Sequence, residues 1–389
     1  MPVFQSGDFV DPRARVEYIL FGVATFLIFF MNAQAALLST AFQQNGLKLP
    51  EIGILLSLYG VPVVIVTLFT GKIATWLGSL GSARWGTAIM ALGFMSLAVT
   101  ADSFWPALAS RLTWGIGYGL MFAPLFTYAQ SRITGPRFIY LLGLFSSMAP
   151  LAQAGGPPFA EFVLDHGGAK LMFLLGAIPA LIGLGLLFLM RPLAKPPAAG
   201  GLALGEALTP NRRIPLVAIF VSGSLFGFLA SYMTPFLHAK DVSIAWYFVA
   251  MTIGIFSTRF VGLGFFQRLD PRLVVSVGMS VMALAYILLV RVQHPFAVAA
   301  CGILFGSGYS VVYPVLSAWI SEGLNPSERA GPQALFNAVF NVGLLWMPLP
   351  ITGLIALFGY AGALQALALL SLAMAAFLGW RAFLRVSRR

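Results

Sequence analysis

Arg111-Leu112-Thr113-Trp114-Gly115-Ile116-Gly117-Tyr118-Gly119 is the stretch that decides the fold. An arginine opens an otherwise apolar segment. Arg111, Gly115 and Gly119 recur at a spacing of four, which on a helix puts them on one face. A second stretch answers it, Gly302-Ile303-Leu304-Phe305-Gly306-Ser307-Gly308-Tyr309-Ser310, in which Gly302, Gly306 and Ser310 keep the same spacing. Gly115-x-Gly117-Tyr118 aligns with Gly306-x-Gly308-Tyr309 at an offset of 306 − 115 = 191, close to half of the 389 residues. Pro157 and Pro348 share that offset, as do Phe145 and Phe336. The second half reads as a diverged copy of the first, with Arg111 replaced by Gly302.

The chain is 59% hydrophobic and only 9% charged, with a mean hydropathy of +0.90. No soluble domain has enough interior to hide that much apolar surface. Apolar runs of about 20 residues recur along the whole length, as membrane-spanning segments require. In lipid each run must satisfy its own backbone, so helices are expected; the runs do not alternate as barrel strands do. The net charge of +11 sits between the apolar runs rather than in one patch, which argues against nucleic acid and for a membrane topology signal. The single cysteine, Cys301, excludes an intrachain disulfide. Ala33-Gln34-Ala35 follows the first apolar run like a cleavage site, but Asp8, Asp11 and Glu17 precede that run where a signal peptide would be basic. The run is expected to be the first spanning helix.

Twelve helices are expected, all α and integral to the membrane: about 18–40, 50–76, 84–101, 104–130, 140–164 and 171–190 in one half, then 214–236, 245–266, 273–290, 295–320, 333–358 and 362–383. Residues 1–190 form the N-terminal half and 214–389 the C-terminal half. The segment 191–213, rich in Pro, Ala and Gly with Lys195, Arg212 and Arg213, forms a linker. With this count one set of loops holds only Lys48, Lys170, Lys240 and Arg291, while the other holds every remaining Lys and Arg outside the apolar runs. Positive residues gather on the inner side, so both termini and the linker are expected in the cytoplasm of a bacterial inner membrane.

With these features on the page the chain resembles the major facilitator superfamily over nearly its full length. The resemblance is carried by the twelve-helix plan, the central linker, and Arg111-x-x-x-Gly115-x-Gly117. Gly155-Gly156-Pro157-Pro158 resembles part of that family's Gly-Pro antiporter motif. The family's loop after the second helix carries Gly-x-x-x-Asp-Arg-x-Gly-Arg-Arg; here it reads Gly71-Lys72-Ile73-Ala74-Thr75-Trp76-Leu77-Gly78-Ser79-Leu80, keeping the glycines and losing the charges. The matching loop of the second half, Gly264 to Arg272, keeps Arg268, Asp270 and Arg272 at shifted spacing. The resemblance implies a secondary transporter working by alternating access, with its site at the repeat interface near mid-membrane.

Charged groups inside a membrane are costly and mark function by default. Arg111 lies about seven residues, roughly 10 Å, into its helix. Arg259 lies deeper, roughly 21 Å from the outer side. Arginine stays protonated, so Arg111 is expected to bind an anionic or electron-rich solute group, and Arg259 to serve the inner gate. Glu161 is the one embedded-looking carboxylate, expected near the outer boundary. It either ends a helix in solvent or approaches Arg111 and titrates, which leaves the proton as a candidate coupling ion. Asn32, Tyr118, Tyr309, Tyr313, Asn337 and Asn341 are expected to line the cavity with hydrogen-bonding groups. Gly71, Gly78, Gly264, Arg268, Asp270 and Arg272 are expected at the gates. Gly115, Gly119, Gly156, Pro157, Gly306 and Ser310 are expected to let helices pack closely.

The leading expectation is transport of a small amphipathic or anionic organic solute, with export favoured by the Gly-Pro run. No cofactor or bound metal is expected, and the protein is expected to be a monomer in the bilayer. The rivals are an uptake permease for a nutrient, vitamin or metal ion such as copper, and a non-transporting receptor or assembly factor on the same fold. Copper finds little here, since Met233 and His238 are five apart and Met251 is on the next helix. An intramembrane enzyme lacks its embedded His, Asp, Glu or Cys constellation.

Overall fold

A computed structural model describes residues 8–134, 138–192, 210–266, 269–320, 322 and 330–386. The linker expected at 191–213 lies almost wholly outside the described residues. Every extended element among them is helical: α1 (Pro12–Ala33), a 3-10 turn (Gln34–Leu37), α2 (Leu38–Gln44), α3 (Leu49–Leu58), α4 (Gly60–Thr100), α5 (Phe104–Arg132), α6 (Phe138–Ser146) and α7 (Met148–Phe188). After the linker come α8 (Pro210–His238), α9 (Ala245–Phe266), α10 (Pro271–Arg291), α11 (Pro295–Ile320), α12 (Ala330–Trp346) and α13 (Pro348–Val386). Eight stretches among the described residues are long and apolar enough to cross a membrane. The chain is a multi-pass membrane protein.

The helix breaks have two physical causes. Three fall three residues before a proline: at Tyr59 before Pro62, at Ser147 before Pro150, and at Met347 before Pro350. Proline lacks the N–H that would bond to the carbonyl four residues back, and its ring crowds that carbonyl. The other breaks are glycines. α4, α7 and α13 contain Gly78 (φ 73°, ψ 162°), Gly168 (φ 75°, ψ 174°) and Gly359 (φ 69°, ψ 176°), a region of backbone space open in practice only to glycine. A straight helix of 41 residues, the length of α4, would run to about 60 Å, twice the hydrocarbon thickness. The glycine divides it into two pieces of spanning length.

α1 starts at Pro12, earlier than the expected 18, because Asp11 caps it. Its carboxylate accepts a bond from Ala14 N at 2.6 Å, with Pro12 preorganised at the first position. That bond, more than the nearby arginine, holds the Asp11 carboxyl below the usual carboxylate range. The cap is therefore charged at neutral pH, and its contribution fades as pH falls through that lowered value.

The chain divides into two compact units. The first comprises Met1–Leu47 and Leu58–Gly200, the second Lys48–Ser57 and Gly201–Arg389. In the first, α4 packs on α5, and α1 and α4 pack on α7. In the second, α9 and α10 pack on α11, α10 on α13, and α12 and α13 on α8. Lys48–Ser57 belong to the second unit through contacts such as Ser57 Oγ donating to Trp346 O at 3.3 Å.

Cationic side chains close helix ends in both units. Arg84 donates to the carbonyls of Leu187 (3.0 Å) and Met190 (3.1 Å) at the end of α7. Lys240 donates to those of Leu289, Val290 and Val292 at 2.7–2.9 Å at the end of α10. The last carbonyls of a helix lack the N–H four residues on that would bond them. In the first unit Glu17, only 3% exposed, accepts from Arg191 Nε at 2.8 Å and pairs with Arg132 Nη2 at 3.1 Å. Arg132 also donates to the Tyr128 hydroxyl and to Arg191 O, both at 2.9 Å. One carboxylate thus ties the second turn of α1, the last turn of α5 and the segment after α7.

Two stability outcomes follow from this geometry. Glu17→Ala leaves two arginines facing each other without their carboxylate. It is expected to cost roughly 3 kcal/mol, the low end for such a loss because the Arg191 side chain is 42% exposed. Thermal unfolding in detergent checks this, and Arg191→Ala should cost less in the Glu17→Ala background than in the wild type. Gly168→Ala forces a side chain into glycine-only backbone space and is expected to lose about 1–3 kcal/mol. Gly185→Ala, at a helical position with open space around it, should not lose stability.

Candidate functional site

The face of α5 marked by Arg111, Gly115 and Gly119 lies against the start of the helix before it. A methyl group at Gly115 would meet the carbonyl oxygen of Tyr59 at 2.6 Å, and one at Gly119 that of Val63 at 3.0 Å. Glycine lets the backbones approach to this distance, and close approach is what drives helix association where lipid is as apolar as any side chain. On a second face of α5, a methyl at Gly86 would meet the Gly117 carbonyl at 2.7 Å.

The close approach sets Arg111 over an aromatic surface. Its guanidinium carbon stands 4.2 Å from the centroid of the Tyr59 ring and 4.7 Å from that of Trp114. Arg111 is 3% exposed and Trp114 fully buried. A desolvated guanidinium over aromatic faces gains about 2 kcal/mol. Trp114 is held edge-on against Phe94 at 5.0 Å and donates from Nε1 to Asn32 Oδ1 at 3.3 Å. Tyr118 continues the cluster, 6.2 Å from Tyr59 and stacked on Phe122 at 5.5 Å. Asn32, Tyr59, Arg111, Trp114 and Tyr118 therefore form one continuous group within the first unit. Sequence reading names Asn32, Arg111 and Tyr118 but misses two members. Trp114 is legible in the sequence, one helical turn from Arg111; Tyr59 comes from the break between α3 and α4 and carries no local signal beyond Pro62.

The second unit holds a parallel group without an arginine at its centre. The Tyr309 ring lies 4.6 Å from Phe226 and 6.2 Å from Tyr313. Tyr313 donates from its hydroxyl to Asn337 Oδ1 at 2.7 Å and packs edge-on against Phe336 and Phe340, each at 5.3 Å. Arg259 is half-buried and within electrostatic range of Tyr309. Asn341 lies one turn past Asn337 on α12 and is half-buried. A methyl at Gly302 would meet the Tyr247 carbonyl at 2.5 Å, and one at Gly306 would overlap the Met251 carbonyl. Ser310 is buried and donates to Ser307 O at 3.0 Å.

The remaining expected residues are dispersed. Glu161 lies on α7 and is 6% exposed, not a solvated helix end. Gly156, before Pro157 on α7, packs against α1: a methyl there would meet the Phe30 carbonyl at 2.6 Å. Gly78 is the positive-φ break of α4, while Gly71 and Gly264 lie inside α4 and α9. Asp270 caps α10, accepting from Arg272 N at 2.8 Å. The Arg272 guanidinium is 3.9 Å from the Asp270 carboxylate and 5.5 Å from the Trp319 centroid. Arg268 lies outside the described residues.

Comparison with known proteins bears on the fold and family. The sequence profile described as Major Facilitator Superfamily matches residues 19–262 and 214–389. No curated protein matches the sequence. Among solved structures, a mutant of the nucleoside transporter NupG superposes with a TM-score of 0.76 at 15% identity, covering 94% of this chain and 99% of that one. An auto-inhibited POT family peptide transporter gives 0.74 at 14%, covering 95% and 97%. The POT family transporter PepTSo gives 0.70 at 15%, covering 97% and 99%.

The packing geometry makes a graded series testable. Gly115→Ala, directed at a backbone carbonyl, is expected to lower stability by about 1–3 kcal/mol through overpacking. Gly22→Ala, with open space around it, should not. Thermal unfolding of the two purified variants compares them directly.

Proposed function

The chain belongs to the Major Facilitator Superfamily and is a secondary transporter rather than an enzyme; from that premise we propose that it carries a small amphipathic or anionic organic solute by alternating access. The observation that carries this reading is the Arg111 guanidinium, desolvated and held against Tyr59 and Trp114. A buried cation is retained at such cost where its charge has work to do. We assign Arg111, Asn32, Tyr59 and Tyr118 to solute recognition in the first unit, and Tyr309, Tyr313, Asn337 and Asn341 in the second. Gly115, Gly119, Gly156, Pro157, Gly306 and Ser310 serve close packing. Arg259, Asp270, Arg272 and the glycines Gly71, Gly78 and Gly264 serve the gates.

Twelve crossings in two related halves fit this function. Two of the eight apolar stretches are 48 and 50 residues long, each enough for two crossings. α5 and α9, outside those eight, supply two more. The halves are supported by pairs 191 positions apart: the positive-φ glycines Gly168 and Gly359, and the close-packed Gly115 and Gly306. On this reading residues 191–213 link the halves, both termini face the cytoplasm of a bacterial inner membrane, and export follows the Gly155–Pro158 run.

Flux into proteoliposomes tests the proposal. A transported solute identified by screening should lose roughly 10- to 100-fold in apparent affinity in Arg111→Gln, the worth of a hydrogen bond to a charged group. Arg111→Lys should also be impaired, because a lysine cannot offer the planar fork. Equal affinity in wild type and both variants would remove Arg111 as a ligand. Absence of flux for every solute that binds would favour the receptor reading, and selective flux of copper the metal reading. If Glu161 titrates during transport, Glu161→Gln flattens the pH profile; an unchanged profile removes the proton from that residue.

A further inference from the structure

We infer that Asn32 presents an amide N–H donor to the solute, and that the solute is a planar aromatic carboxylate. This rests on the transporter reading above and narrows its substrate class.

The indole N–H of Trp114 can only donate. The Asn32 atom it meets at 3.3 Å is therefore the carbonyl oxygen, and turning the amide over would set donor against donor. Trp114 itself cannot turn, since it is fully buried between Phe94, Tyr59 and the Arg111 guanidinium. Asn32 is thus oriented from behind: its oxygen is engaged and its NH2 group points away from Trp114. Asn32 is half-buried, so one side of it stays open. The first unit thus turns an amide donor outward by means of an aromatic donor.

Partly exposed rings stand in both units. Tyr118, Phe122 and Phe126 are half-buried at successive spacings of four on α5. Tyr309 and Tyr313, also half-buried on α11, stand 191 positions after Tyr118 and Phe122. These stripes are not lipid faces. Tyrosine hydroxyls against hydrocarbon are costly, and the most exposed residues of this part of α5, Ile116, Ala123 and Thr127, lie roughly 100° or more round the helix from Tyr118 and Phe122. A row of ring faces stacks a planar solute. An outward amide donor and the embedded Arg111 select acceptor oxygens and negative charge, and a carboxylate supplies both.

Binding to the purified protein by titration calorimetry, with three probes, decides the matter without measuring flux. Phenylacetate carries ring and acid, cyclohexylacetate the same acid on a saturated ring, and phenethylamine the ring with a cation. Phenylacetate should bind roughly tenfold or more tighter than cyclohexylacetate, and phenethylamine more weakly still. Asn32→Asp, which replaces the donor by a repelling acceptor, should weaken phenylacetate at least tenfold. Trp114→Phe keeps the buried ring and removes the N–H that orients Asn32, so the preference for phenylacetate over phenethylamine should shrink. A merely structural role would leave that ratio unmoved. Equal binding of the two acids overturns the aromatic assignment. Preference for phenethylamine, or undiminished phenylacetate binding in Asn32→Asp, overturns the donor assignment. Failure of all three probes to bind overturns the class while leaving the Arg111 flux test to judge the transporter reading.

Discussion

The approach of α5 to its neighbours at backbone distance is the contact on which the rest of the first unit depends. Between helices in lipid no hydrophobic gain is available, so association comes from packing and interhelical hydrogen bonds. Gly115 brings α5 onto the Tyr59 carbonyl, and Gly117 and Gly86 bring it onto the second half of α4. With any larger residue at Gly115, the helix would stand further off and Arg111 would lose the Tyr59 ring beneath it. The packing glycine and the functional arginine on one helix face are thus parts of one geometry.

The same constraint explains how the chain turns. Unsatisfied backbone groups cannot face hydrocarbon, so breaks must be short and paired. The three proline breaks each lose one hydrogen bond and resume at once. The three positive-φ glycines change direction within one residue. Where helices do end, Arg84 and Lys240 bring cationic side chains to the last carbonyls. Glu17 ties three chain segments at one end of the first unit by meeting two arginines.

Much of this is legible in the sequence because the bilayer simplifies the code. Apolar runs mark the helices, and glycines four apart mark the close contacts. What is hidden follows from tertiary pairing. Tyr59 looks like any tyrosine near a proline until α5 lies on it. Glu17 reads as part of a polar tail, yet it is buried, because its partners arrive from the end of α5 and from beyond α7. The start of α1 was missed for a related reason: hydropathy marks where lipid begins, and the Asp11 cap marks where the helix begins. Glu161, read first as a solvated helix end and otherwise as a neighbour of Arg111, is buried, and α7 continues past it to Gly168.

The pair Arg111 and Gly302 carries the argument furthest. At position 302 a glycine lets α11 approach the Tyr247 carbonyl. At position 111 an arginine occupies the space over a ring instead. The helix framework tolerates this exchange because Gly115, one turn on, keeps the approach, as Gly306 does in the other unit. A frame that closes on its second and third small residues leaves its first free to vary. That position is where a charge can be added without loosening the helix contacts, and Trp114 beside it couples the charge to the orientation of Asn32. The chemistry of the first unit thus grows from one variable place in an otherwise shared packing motif.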